Sequence, residues 1–345
     1  MSGLTPNGDT IWENVRMSGL TPNGDFIWEN VRMSGLTPNL TRINFKLIMV
    51  VEYKWVLHMD PISRIAKMLK IDSESPQQDQ SESEPDFEKR RQLAKKVVNA
   101  IASDQRKTLN ITNTTEFTVV IPTNQSIFDL SAAVTRYGNV RLPPLYFIDP
   151  AQVPFNGPDD ETLDDTEKLQ KFANKLANLC QIDEKPVTWQ DRMYLRMYLD
   201  ATKGKNASPE KAKNAIFFII AHEIGHVHSH HAERRLKTNK KLSERKYTLI
   251  NLVTFGIFKN IAKSLQSRKH EKEADAIAFN MSDDSAHGGI HLFETVHNFK
   301  PVGVTEKAAY ALLNFSDFFT HGTYKGRKER IEAHLLHPVP PKPNG

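Results

Sequence analysis

The spacing of apolar residues predicts several helices in this chain, and the most apolar of them carries charged and imidazole groups. Residues Ser208–Arg235, SPEKAKNAIFFIIAHEIGHVHSHHAERR, read as one long helix. Ser208 can cap the first free amides, and Pro209 suits the first helical position, where an N–H is not needed. From Ala215 to Ala221 the residues are all apolar, a composition suited to a helix buried on most sides. Elsewhere Pro61–Ile71 predicts a short amphipathic helix with Ile62, Ile65, Met68 and Leu69 on one side. Phe87–Ser103 predicts a basic amphipathic helix with Leu93, Val97, Val98 and Ile101 inward. TEFTVVIP (115–122) and PLYFIDP (144–150) are rich in β-branched and aromatic residues and predict strands.

The flanks are organised differently. MSGLTPNGDTIWENVR (1–16) recurs as MSGLTPNGDFIWENVR (17–32), differing only at Thr10 and Phe26, and restarts at Met33. A sixteen-residue period is shorter than that of helical or propeller arrays, so residues 1–42 read as a weakly ordered extension. A repeated ligand motif carrying Trp12 and Trp28 is the functional alternative. Residues 43–72 read as a strand or buried helix followed by the short helix. The acidic tract 73–86 has no apolar residue besides its prolines and reads as a linker before a domain spanning 87–337. Residues 338–345 are a proline-rich tail.

His222, Glu223 and His226 stand in the apolar helix. Four residues turn a helix by about 400°, so the two imidazoles share a face, one turn apart. That spacing suits ligation of one Zn²⁺, with Glu223 beside them to take a proton from an activated water. A surface helix with solvated histidines is the alternative, and the run Ala215–Ala221 argues against it. A third ligand of metzincin type would need Gly at 229 and His at 232, where the chain has Ser229 and Ala232. The segment HEKEADAIAF (270–279) offers Glu271 and Asp275 four apart on one helical face. Glu271 can complete a His₂Glu site with an open position, and Asp275 can accept a hydrogen bond from a ligand imidazole. Glu273 is expected to point elsewhere, into solvent. His228, His230 and His231 read as polar residues at a helix end, favourable near its C-terminal dipole.

HEIGHV followed by EKEADAIAF resembles the gluzincin peptidases that include the CAAX prenyl endoproteases, the heat-shock protease HtpX and soluble relatives. The resemblance covers roughly residues 87 to 335. It implies His222, His226 and Glu271 as zinc ligands, Glu223 as base and Asp275 behind the metal. His231 matches a further histidine common in that family. THGTYKGRKERIEAHL resembles the family's His-Pro…Arg-Ile signature at His321, Arg330 and Ile331, with Gly322 in place of the proline and a longer His-to-Arg spacing. His321 or Tyr324 would then assist the oxyanion. The implied fold class is α+β, a mainly helical zincin-type metallopeptidase domain with a small β-sheet. The family's edge strand that pairs with substrate is expected at MYLRMYL (193–199), by position.

Composition narrows the field. The chain has 345 residues, 39% hydrophobic and 25% charged, as expected of a globular protein with ample core. A net charge of +5 gives no argument for nucleic-acid binding. The single cysteine, Cys180, cannot form an internal disulfide, and the Asn-x-Ser/Thr sites at Asn110, Asn113 and Asn124 would matter only in a secreted protein. No signal peptide is evident, so an intracellular protein, free or peripherally membrane-bound, is expected. The uncharged run Tyr247–Phe258 is twelve residues, against about 20 for a membrane span. It reads as an active-site cover, with an interfacial helix over 247–265 as the alternative. These features predict a zinc endopeptidase acting on protein or peptide substrates. A non-catalytic zinc-stabilised binding protein is the main rival, and a metal-independent interaction protein the other.

Overall fold

The computed structural model describes residues 16–20, 26–29, 59–71, 84–112, 115–123, 126–135, 137–242, 257–308, 310–311 and 322–336. The chain divides into two units, Met1–Leu57 and His58–Gly345. In the first, β1 (Arg16–Leu20) pairs antiparallel with β2 (Phe26–Glu29), with Arg16 opposite Glu29 and Leu20 opposite Phe26. Within the repeat region, read as a weakly ordered extension, these two short strands are the described residues. β1 spans the junction of the two copies.

The second unit is α+β: mainly helical, with a three-stranded sheet. α1 (Pro61–Met68) is capped by Asp60, whose carboxylate accepts from the Ser63 amide at 3.0 Å and the Ser63 hydroxyl at 2.7 Å. Its Ile62, Ile65 and Ala66 are buried in the same core as the following helices. The boundary expected at 73–86 thus falls earlier, because α1 has an apolar face that only this core covers. α2 (Glu84–Leu109) is longer than expected at both ends and buries Leu93, Val97, Val98 and Ile101, the four positions expected inward.

β3 (Thr118–Val120) runs parallel to β5 (Asn139–Arg141), and β4 (Ala133–Val134) pairs antiparallel with β5 on its other side. The order is β3-β5-β4. Of the two expected strands, the first forms within 115–122. The second is a 3₁₀ helix, Pro144–Phe147, followed by a 3₁₀ turn at Pro150–Gln152. Pro143, Pro144 and Pro150 cannot donate to a sheet ladder, and that outweighs the β-propensity of Tyr146, Phe147 and Ile148.

α3 (Thr166–Leu179) precedes α4 (Trp189–Lys203), which occupies the segment expected as the edge strand. Thr188 and Asp191 form a capping box, and Leu195, Arg196, Leu199 and Thr202 bury one helical face. That cap and the i, i+3, i+4 pattern decide helix over strand.

α5 (Pro209–His228) starts as expected, with the Ser208 hydroxyl accepting from the Lys211 amide at 3.1 Å. It does not run on to Arg235. The chain breaks at Ser229 and at His230, which has φ +53°, and α6 (His231–Leu242) starts in a new direction. Beyond the interval 243–256, α7 (Ile257–Phe279) and α8 (Asp283–Asn298) pack on α5, and α9 (Tyr324–Leu336) packs on α8 and α7. Two glycines allow these approaches. A Cβ at Gly288 of α8 would lie 2.0 Å from the Asn214 carbonyl oxygen of α5, so the two backbones touch. At Gly225 of α5 a Cβ would meet Ala274 of α7 at 3.4 Å. No helix among the described residues is long and apolar enough to cross a membrane. Residues 243–256, which include most of the expected cover or interfacial segment, lie outside the described residues, as does the tail 338–345.

Candidate metal centre

α5 and α7 cross where Gly225 meets Ala274, and this crossing sets the distance between the two motifs. Glu271 stands three residues before Ala274 and Asp275 directly after it, four apart on one helical face. Both are buried, as is His222, while His226 and Glu223 are half-buried. His222, His226 and Glu271 bring their ligand atoms together: Nε2 of His226 lies 3.0 Å from Nε2 of His222. Glu271 places Oε2 3.2 Å from His222 Nε2 and Oε1 3.4 Å from His226 Nε2.

These separations test the site for zinc. Bonds of about 2.0–2.1 Å in a tetrahedron put neighbouring ligand atoms about 3.3 Å apart. The two Nε2 atoms lie 3.0 Å apart, each is 3.2–3.4 Å from its own Glu271 oxygen, and one ligand atom from each residue falls within 4.8 Å of the others. Each imidazole Nε2 faces its own Glu271 oxygen, so two N–H donors can satisfy the carboxylate in the metal-free form, and a cation would take the place of those protons. Two imidazoles and a carboxylate are a donor set that suits zinc and leaves one tetrahedral position open.

Behind His222, Asp275 Oδ1 lies 3.0 Å from Nδ1, which directs Nε2 toward the centre. Asp275 is itself gripped from α9: Arg327 donates from Nε at 2.9 Å and from Nη2 at 2.5 Å, and Arg330 from Nη2 at 3.3 Å. The Arg327 guanidinium also lies over the Phe293 ring of α8, 4.3 Å from its centroid, and reaches to 3.9 Å of Glu271. Arg327 was not anticipated from the sequence. The signal was present in the helical spacing of Arg327, Arg330 and Ile331, of which Arg327 and Ile331 are buried.

The charges follow from this packing. Burial opposes ionisation of Glu271, but the hydrogen bonds and charges of His222 and His226 outweigh it and hold the carboxyl well below its usual range. Burial likewise opposes ionisation of Asp275, and Arg327 with His222 holds it low. Burial pulls the His222 imidazolium down, but Asp275 and Glu271 raise its pKa to about 9. Burial lowers His231 to about 4 against the opposing carboxylate of Glu273. It also lowers His228 to about 4, reinforced by Arg106 and His230.

His231 is buried, not a solvated helix-end residue, with its Nδ1 2.7 Å from Nδ1 of His226. Glu273, expected in solvent, instead meets His231 Nε2 at 2.9 Å and accepts from Arg234 at 2.6 Å. The helix break explains both corrections, because it turns His231 and Arg234 back toward α7. His228 sets its ring edge-on to Phe117, 6.1 Å between centroids, and His230 is exposed. Glu223 is near enough to the buried Tyr146 phenol that, after burial and Asp129, its charge adds to the phenol's raised pKa. Tyr146 donates to the Leu130 carbonyl at 2.8 Å, which ties the 3₁₀ segment beside α5 to the loop before β4. Tyr324 opens α9 and stacks on Phe293 at 6.3 Å. His321 lies outside the described residues. Comparison of the chain with protein-family models, curated proteins and solved structures finds no match.

Proposed function

We propose that the protein is a zinc-dependent endopeptidase of zincin type, with His222, His226 and Glu271 as ligands and Glu223 as general base. The observation that carries this reading is the meeting of His222, His226 and Glu271 at ligand spacing, with Glu223 one residue past His222 on the same helix. A purely structural zinc site has no use for a general base at that place. Zinc held there would polarise a carbonyl and bring the pKa of water toward about 7. Glu223 accepts the proton of the attacking water and returns it to the departing amine. Asp275 holds the proton on Nδ1 of His222, so that Nε2 keeps its lone pair for the metal. Arg327 keeps Asp275 ionised for that task.

β4, at the end of the sheet, packs against α5, the helix that carries the half-buried Glu223. The substrate class this favours is an extended polypeptide. The test is digestion of a broad peptide library by the full chain, with and without a chelator, beside Glu223→Gln. We expect chelator-sensitive cleavage that Glu223→Gln abolishes while retaining zinc. Undiminished turnover by Glu223→Gln excludes this base. Bound zinc with no cleavage by the native chain selects the non-catalytic zinc-stabilised reading.

A further inference from the structure

His226 is held on its outer side by a second imidazole. The separations continue from His226 Nδ1 to His231 Nδ1 at 2.7 Å, from His231 Nε2 to Glu273 Oε2 at 2.9 Å, and from Arg234 Nη1 to that same oxygen at 2.6 Å. His231 is clamped flat on His270, with centroids 4.2 Å apart and rings 7° from parallel.

A continuous helix would not build this chain of contacts. Five residues turn a helix by about 500°, which leaves the side chains about 140° apart around the axis. The break at Ser229 and His230 swings His231 back onto His226. His230 adopts φ +53°, a left-handed conformation that residues other than glycine adopt infrequently. Its own side chain is exposed, so no burial of the imidazole accounts for the conformation. The same left-handed conformation closes other helices of the chain at Lys70, Asn110 and Gln181, so at His230 it serves as a helix end, and its consequence here is where it sends His231.

The protons can be placed in one way only. If Nε2 of His226 is a ligand, its lone pair points inward and the ring proton sits on Nδ1. His226 then donates to Nδ1 of His231. His231 must carry its own proton on Nε2 and donates it to Glu273, which Arg234 keeps anionic.

We infer that His231, Glu273 and Arg234 form a positioning relay that fixes the tautomer and ring plane of His226, as Asp275 and Arg327 do for His222. The inference rests on the zinc reading above. None of the three residues touches substrate, so each acts through His226. The two ligand imidazoles are thus supported differently: His222 directly by a carboxylate, and His226 by a carboxylate acting through another imidazole.

The test measures zinc affinity by competition with a chromophoric chelator, together with the visible absorption spectrum of the Co²⁺-loaded full chain. The variants are His231→Phe, His231→Asn and Glu273→Ala, each checked for its metal-free melting transition. His231→Phe keeps a flat ring and removes the acceptor, and zinc affinity is expected to fall about 10–100-fold with altered cobalt bands. His231→Asn keeps an acceptor near the position of Nδ1 and is expected to recover most of that loss. Glu273→Ala, at a half-buried position that folding tolerates, is expected to weaken zinc about tenfold. It carries the same test if the Phe variant fails to fold. Native zinc affinity and cobalt spectrum in both His231→Phe and Glu273→Ala overturn the relay and leave the zinc reading standing. Failure of the native chain to bind zinc overturns both.

Discussion

Asp275 and Arg327 form a buried ion pair behind His222, and its removal from one side or both separates positioning from stability. Asp275→Asn keeps the shape but leaves the Arg327 guanidinium, buried under Phe293, facing an amide in place of a carboxylate. Arg327→Met keeps apolar bulk but leaves Asp275 and Glu271 buried with less compensating charge. Breaking a buried pair from one side costs about 3–5 kcal/mol. Arg330, 3.3 Å from Asp275 and half-exposed, still supplies part of the compensation after Arg327→Met. That variant should therefore fall at the low end, about 3 kcal/mol. The double variant leaves neither charge unpaired, so its loss should be roughly 0–2 kcal/mol, against about 6–8 kcal/mol for the sum of the single losses, a coupling of at least about 4 kcal/mol between the two positions. Zinc binding should not follow the same pattern. Asp275 anchors His222 Nδ1, so Asp275→Asn and the double variant should both lose about 10–100-fold in zinc affinity. Denaturant unfolding of the metal-free forms gives the first set of numbers, and chelator competition gives the second. Additive losses in stability would refute the pairing. Recovery of zinc affinity together with stability in the double variant would refute the positioning role.

Other consequences can be checked separately. The pKa of His222 is raised from 6.5 to about 9, so its proton stabilises the metal-free fold fully below about 6.5 and that contribution is lost as pH rises through about 9. Zinc must displace this proton, so affinity should rise close to tenfold per unit between those pH values; a flat profile in chelator competition contradicts a protonated His222. Gly288→Ala should destabilise by about 1–3 kcal/mol or more, because its Cβ would fall 2.0 Å from the Asn214 carbonyl oxygen. Gly225→Ala meets ordinary contact at 3.4 Å and should cost much less; equal denaturation midpoints for the two variants would show that the α5–α8 backbones do not touch. Glu271→Ala should lose zinc on dialysis, read by elemental analysis, and full occupancy would exclude it as a ligand.

The cluster of His222, His226 and Glu271 was legible because its signals are local: His222 and His226 share a face through helical spacing, and so do Glu271 and Asp275. What the sequence did not carry is long-range. Arg327 reads as one more cation in a charged helix until α9 is packed on α7. Glu273 reads as solvated until the chain turns back at His230, and that turn has no glycine to announce it. The strand readings at 144–150 and 193–199 failed for a different reason. β-Propensity is outweighed by prolines that cannot donate in the first, and by a Thr188–Asp191 capping box in the second. Both signals were in the sequence and are stronger than the residue preferences that suggested strands. The boundary placed at 73–86 followed composition alone, whereas the burial of Ile62 and Ile65 assigns α1 to the main unit.

The assignment of His222, His226 and Glu271 as ligands to one ion is tested most directly by anomalous diffraction at the zinc edge, from crystals of the full chain grown with zinc. The account predicts a single strong peak within about 2.1 Å of Nε2 of both histidines and of a Glu271 oxygen. A peak elsewhere, or none at that crossing of α5 and α7 with zinc in excess, would contradict it.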